Sequence, residues 1–304
     1  MNLLLVLAGL AALFLGGEAL VRGAVDIARR LALPPLLIGL TVVGFGTSTP
    51  ELLVSLEAAL RGSPDIAVGN VVGSNIANVL LILGLAALVR PIPIRDGGLR
   101  RDALAMVAAS LALAPAFALG VLGRGAGAAL LAGLAAYLVI AWRSSPAEPE
   151  IPGAPRPAPL WRALLIAAAG LVGLMLGARL LVAGATAIAR DLGIGEAFIG
   201  LTIVAVGTSL PELAASLVAA LRRQSEIALG NVLGSNVFNA LGILGATALV
   251  APIPVAPRFL AFDLPVMIAV AIGLAAALLT RPRIGRIAGG ALLALYAAYI
   301  VAAA

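Results

Sequence analysis

Apolar residues fill this chain in runs of about twenty, separated by short breaks where the prolines and most of the arginines collect. A run of that length crosses the hydrocarbon core of a bilayer as a helix. Such runs fall at 2–22, 35–60, 66–89, 103–120, 126–142, 160–182, 197–221, 227–250, 260–280 and 286–303. Strand alternation of the barrel type is absent. The pattern predicts an all-α, polytopic membrane protein of about ten transmembrane helices. The first 17 residues have the length of a signal-peptide core but no basic segment before them, and their counterpart near 162 lies inside the chain. They are expected to form the first membrane helix.

The pattern is written twice. Residues 37–84 return at 198–245 at a constant offset of 161, with 30 of 48 positions identical. Outside this stretch, Leu20, Val21, Gly23, Ala24, Ile27, Ala28 and Arg29 match Leu181, Val182, Gly184, Ala185, Ile188, Ala189 and Arg190, and PIPI at 91–94 matches PIPV at 252–255. Each half is therefore a five-helix unit, 1–142 and 160–304, joined by a Pro- and Ala-rich connector at 143–159. Because five is odd, the second unit enters the membrane from the opposite side, and the repeats are inverted.

Composition narrows the class. With 62% apolar and 11% charged residues, the chain has too little polar surface for a soluble globule. All the basic charge is arginine. Alternate loops, starting with the first, hold 14 arginines against 4 in the others, which predicts both termini outside and the 143–159 connector in the cytoplasm. No Cys or His is present, so thiol, disulfide and imidazole chemistry and the usual zinc ligand sets are excluded. No enzymatic activity, cofactor, nucleic acid or obligate protein partner is expected.

The second helix of each half carries Gly44, Phe45, Gly46, Thr47, Ser48, Thr49, Pro50, Glu51, repeated as Ala205, Val206, Gly207, Thr208, Ser209, Leu210, Pro211, Glu212. Each proline, Pro50 and Pro211, removes a backbone donor and clashes with the carbonyl four residues back, at Gly46 or Gly207, so a break is expected there. Freed carbonyls at bilayer depth survive only where they line a cavity. With Thr and Ser hydroxyls and a Glu carboxylate they are the hard oxygen ligands that Na+ and Ca2+ take. The third helix of each half adds Asn70, Gly73, Ser74, Asn75 and Asn78, matched by Asn231, Gly234, Ser235, Asn236 and Asn239. Ser74 and Asn78 share a helix face, as do Ser235 and Asn239. Two such faces meeting at the midplane form one site whose carboxylates, Glu51 and Glu212, balance one Ca2+ or two Na+. Hydrogen bonding between helices accounts equally well for Ser74, Asn75, Asn236 and Thr202 taken singly. It accounts poorly for two mid-helix glutamates without basic partners.

The remaining charges read as structural. Glu18, Arg22 and Asp26 recur every four residues near the end of the first helix and predict a salt-bridge ladder or snorkelling side chains. Glu57 is matched only by Val218, and Asp263 is placed as a helix cap. Asp65 and Glu226 each follow a loop and favour a helix N-terminus.

At these motifs the sequence resembles the cation/Ca2+ exchanger superfamily, whose two repeats carry GTSxPE followed by GNxxGSNxxN, and within it the prokaryotic Na+/Ca2+ exchangers. The resemblance implies an antiporter in which helices 2, 3, 7 and 8 hold the ions and helices 1 and 6 slide across them. The implied ligands are the Gly44 carbonyl, Thr47, Ser48, Glu51, Ser74 and Asn78, with the Ala205 carbonyl, Thr208, Ser209, Glu212, Ser235 and Asn239. Position 239 is Asn, whereas some members, K+-dependent exchangers among them, have Asp there, which argues against K+ coupling. Exchange of Na+ for Ca2+ across a prokaryotic plasma membrane is the expected activity. Proton-coupled Ca2+ exchange and a passive cation channel are the rival readings.

Overall fold

The computed structural model describes residues 2–94, 98–144, 158–193 and 205–303. Its helices are α1 (Asn2–Leu31), α2 (Pro35–Thr47), α3 (Thr49–Leu60), α4 (Pro64–Val89), α5 (Leu99–Ala118), α6 (Arg124–Arg143), α7 (Leu160–Asp191), α8 (Leu210–Leu221), α9 (Ser225–Val250), α10 (Phe259–Thr280) and α11 (Arg286–Ala303). Among the described residues, eight helices are long and apolar enough to cross a membrane, and the bent pair α2–α3 makes a ninth. The remaining predicted span, 197–221, is described only from Ala205, where one turn of helix precedes α8. Most of the 143–159 connector, and Thr202, lie outside the described residues.

The helix ends follow local chemistry. Pro35, Pro50 and Pro64 sit in the first turns of α2, α3 and α4, where a missing N–H costs nothing. The chain then leaves α1, α3, α7 and α8 through left-handed residues at matched positions: Ala32 with Gly193, and Gly62 with Arg223. Glycine takes that conformation freely. Ala32 and Arg223 take it at a cost of about 1–2 kcal/mol.

α1 and α7 are too long for a perpendicular span and cross the membrane tilted. They run antiparallel, with Gly9 of α1 against Gly177 of α7, Gly16 against Gly170 and Gly23 against Ala163. A Cβ built on Gly16 would lie 2.7 Å from the Leu174 nitrogen, so the two backbones touch along the seam. Antiparallel first helices are what inverted repeats require. Asn2 Nδ2 also donates to Asp191 Oδ2 (3.0 Å), pinning the start of α1 to the end of α7.

Behind this pair lies the core. α4 and α9 are buried over 78% and 83% of their most apolar windows, against 6% for α11, which faces lipid. Leu40, Val72, Ile76, Leu83, Leu233 and Ile243 form the centre of the main apolar cluster. The proline motifs at 91–94 and 252–255 tie the halves together in two short antiparallel ribbons. β1 (Ile92–Pro93) pairs with β4 (Arg283–Ile284), and β2 (Val121–Leu122) with β3 (Ile253–Pro254).

Candidate ion-binding site

A break is present in the first half, at Ser48 and not at Gly46. α2 and α3 meet at 43° across Ser48, whose ψ of 6° leaves the helical range, and Ser209 repeats that geometry before α8. The carboxylates that follow are almost wholly buried, Glu51 at 1% exposure and Glu212 at 2%. Each is held by the other half. Ser48 Oγ donates to Glu212 Oε1 (3.0 Å), and Ser209 Oγ donates to Glu51 Oε1 (3.4 Å). Ser74 Oγ lies 3.5 Å from Ser209 Oγ and completes one end of the cluster.

At the other end the Gly44 carbonyl accepts from Ser235 Oγ (3.2 Å) and Thr47 Oγ1 (3.3 Å). Close packing makes this possible: a Cβ on Gly44 would sit 3.0 Å from the Ser235 nitrogen. Both polar helices also widen by one residue per turn, α4 at Asn78–Ile82 and α9 at Phe238–Ile243. Such turns unlink backbone groups from the regular ladder and are frequent at functional sites. Asn78 opens the first, and Asn239 lies in the second. Asn78 Nδ2 donates to Asn236 Oδ1 (3.1 Å), and Asn75 Nδ2 to the Asn236 carbonyl (3.1 Å).

The structure therefore joins Glu51, Ser209 and Ser74 in one bonded group and Gly44, Thr47, Ser235, Ser48 and Glu212 in a second, held together through Asn231, with Asn78 joined to Asn236 beside them. Thr208 is half-buried and lines a cavity of about 510 Å3 with Pro50, Gly207 and Pro211. Ala205 opens the described segment. Among the described residues, one oxygen of each carboxylate, Glu51 Oε2 and Glu212 Oε2, has no hydrogen-bond donor, nor has the amide oxygen of Asn78 or either polar atom of Asn239. Buried polar atoms are rarely left so. Bare carboxylate and amide oxygens flanked by hydroxyls are the donor set of a hard cation.

Sequence reasoning placed Asn70 and Asn231 in the constellation without a role and passed over Ser55 and Ser216, yet these four hold the glutamates in place. Asn70 Nδ2 donates to the Glu51 carbonyl (3.0 Å) and to Ser55 Oγ (2.9 Å). Asn231 Nδ2 repeats this with the Glu212 carbonyl (3.2 Å) and Ser216 Oγ (2.8 Å), and its Oδ1 accepts from Thr47 (3.2 Å). The signal was in the repeat, since Ser55 and Ser216 are also 161 apart.

Two structural readings need correction. Asp263 caps nothing: it lies buried in a widened turn, accepts from the Tyr299 hydroxyl (3.0 Å) and pairs with Arg258 (3.3 Å). Its counterpart Asp102 is fully buried and accepts from Tyr137 (3.1 Å) and Arg101 (2.7 Å). Nor does Glu18 form a ladder with Arg22. It takes two N–H donors from Arg222, each at 2.7 Å, because α8 ends beside it. Asp65 and Glu226 do lie in the first turns of α4 and α9. From Asp65 and Asp263 a second cavity, of about 300 Å3, extends to Gly73, the neighbour of Ser74.

Comparison with known proteins agrees with this architecture. The family model described as sodium/calcium exchanger protein matches residues 1–143 and 162–304. A putative antiporter of Alkalimonas amylolytica is 42% identical over 81% of this chain and 80% of its own length. A sodium/calcium exchanger of Methanosarcina acetivorans is 33% identical over 99% and 97%. Among solved structures, the sodium-calcium exchanger NCX_Mj soaked in Na+ without Ca2+ superposes with a TM-score of 0.86 at 34% identity, covering 99% of this chain and 98% of that one.

Proposed function

The chain belongs to the sodium/calcium exchanger protein family, and from that membership we propose that it exchanges Na+ for Ca2+ by alternating access. Glu51 and Glu212 are the ion-binding carboxylates. Gly44, Thr47, Ser48, Ser74 and Asn78 supply neutral oxygens from the first half, and Ala205, Thr208, Ser209, Ser235 and Asn239 from the second. The observation that carries this reading is the pair of buried carboxylates, each bonded on one oxygen by a serine of the opposite half and without a donor on the other.

A charge of −2 in this setting is neutralised equally by one Ca2+ or by two Na+. With neither bound, carrying two bare carboxylates through a dry barrier costs several kcal/mol, on the order of that for any buried unpaired ion. Empty return is thereby suppressed, and release of one ion species waits on entry of the other. The arginine distribution supports both termini outside and the 143–159 connector in the cytoplasm, and the likeness to prokaryotic exchangers and antiporters supports a prokaryotic plasma membrane as the location.

The test is radioactive Ca2+ uptake into proteoliposomes loaded with Na+ and diluted into Na+-free buffer, beside vesicles carrying only a proton gradient. Uptake that needs internal Na+ and disappears in Glu51→Gln is the expected result. Uptake driven by protons alone moves the chain to proton-coupled exchange, and flux without any counter-ion makes it a channel.

A further inference from the structure

The offset of 161 pairs α1 with α7 and α3 with α8, so the contact of α1 with α8 has a counterpart in that of α7 with α3. These two contacts are in opposite conditions. At the first, a Cβ on Gly17 would lie 3.0 Å from Val218 Cγ2 and 3.3 Å from the Ala214 carbonyl, and Arg222 holds Glu18 through two donors. At the second, the matched residues Ala178, Arg179, Leu53 and Glu57 line the cavity of about 510 Å3 that keeps α7 off α3.

The charges at the two contacts are inverted. Arg179 stands where the first half has Glu18, and Glu57 stands where the second half has Val218. Glu57 is engaged with Arg61 four residues on, both well exposed. Arg179, well inside the 32-residue α7, makes no ion pair or hydrogen bond with any described residue. An arginine exposed on the wall of a cavity, with no partner among the described residues, is free to take one across that cavity.

We propose that Glu18–Arg222 and Arg179–Glu57 are two ion-pair latches of opposite polarity. The first holds the α1/α7 pair against α8 in the state described above, and the second holds it against α3 once the cavity has closed. This rests on the alternating-access reading. Because the backbones of α1 and α7 touch along their glycine seam, the pair moves as one body, and movement toward α3 is movement away from α8. Glu57 then exchanges Arg61, which remains solvated at its helix end, for Arg179. The inverted polarity keeps the latches separate, since Arg179 repels Arg222 and Glu57 repels Glu18. Pairs this exposed bias an equilibrium by only about two- to five-fold, enough to set which face waits open without freezing either state.

The chain has no cysteine, so one introduced on the cavity wall reports without background. In reconstituted Val54→Cys protein, the rate of alkylation by a water-soluble maleimide follows the fraction of molecules with the cavity open. Arg222→Gln, or Glu18→Gln should that variant fold poorly, is expected to slow labelling two- to five-fold. Adding Arg179→Gln should return the rate to within two-fold of the parent. Exchanging the charges of the second pair instead, Glu57→Arg with Arg179→Glu, should leave labelling slow. Labelling that ignores the loss of the Glu18–Arg222 pair, or that Arg179→Gln fails to restore, overturns the latches. Ca2+ uptake measured on the same vesicles separates the two claims. Normal Na+-driven uptake with unresponsive labelling discards the latches alone, whereas responsive labelling without Na+-driven uptake discards the Na+/Ca2+ assignment and keeps them.

Discussion

Thr47 and Thr208 are the same residue of the same motif, 161 positions apart, in unlike surroundings. Thr47 is 1% exposed and bonded to Gly44 and Asn231. Thr208 is half-buried on the wall of a cavity. The chemistry of the halves is nearly identical and their packing is not. Two nearly equal units are packed unequally, so that one copy of the threonine is sealed in the core and the other lines a cavity.

The comparison makes graded predictions. Glu51→Gln and Glu212→Gln should each reduce exchange to background in the uptake assay while the protein stays folded; a variant that keeps substantial exchange would show that one half dominates the site. The clamps should differ. Asn231→Ala, which strips a wholly buried amide with three partners, is expected to cost about 2 kcal/mol of stability, and Asn70→Ala, half-buried with two, about 1 kcal/mol. Equal shifts in denaturant melts of the detergent-purified variants would remove the asymmetry. A smaller contrast is expected at the paired tyrosines. Tyr137→Phe leaves the fully buried Asp102 short of a donor and should cost about 1–2 kcal/mol, and Tyr299→Phe less, because Asp263 borders a cavity that admits water. Last, Arg61→Gln breaks a pair at the protein surface and should leave the melting temperature of the wild type unchanged.

Much of this was legible in the sequence because the determining relations are short or exactly repeated. Proline four residues after Gly46 gives the bend, apolar run lengths give the spans, and the duplicated motif gives the serines and glutamates that cross over. What escaped depends on contacts with no constant offset. Asp102 and Asp263 are 161 apart, but their tyrosines, Tyr137 and Tyr299, are 162 apart. Arg101 directly precedes its aspartate, whereas Arg258 reaches its own across a widened turn of helix. An ungapped repeat hides both triads. Glu18 was misread for a related reason. Its local spacing favoured Arg22, while the partner it takes is 204 residues away, where only the packed fold brings it.

The glycine seam between α1 and α7 is self-complementary. Gly9 of one helix faces Gly177 of the other and Gly16 faces Gly170, while Gly23 faces Ala163 and Gly184 faces Asn2. In the numbering of a single half these are reciprocal contacts, the geometry of an isologous dimer. Two separate copies of one half, inserted in opposite senses, would close the same interface. Fusion into one chain therefore adds no contact to the seam. It fixes the ratio and opposed orientation of the halves, and frees each to diverge, as Arg179 and Glu18 have done.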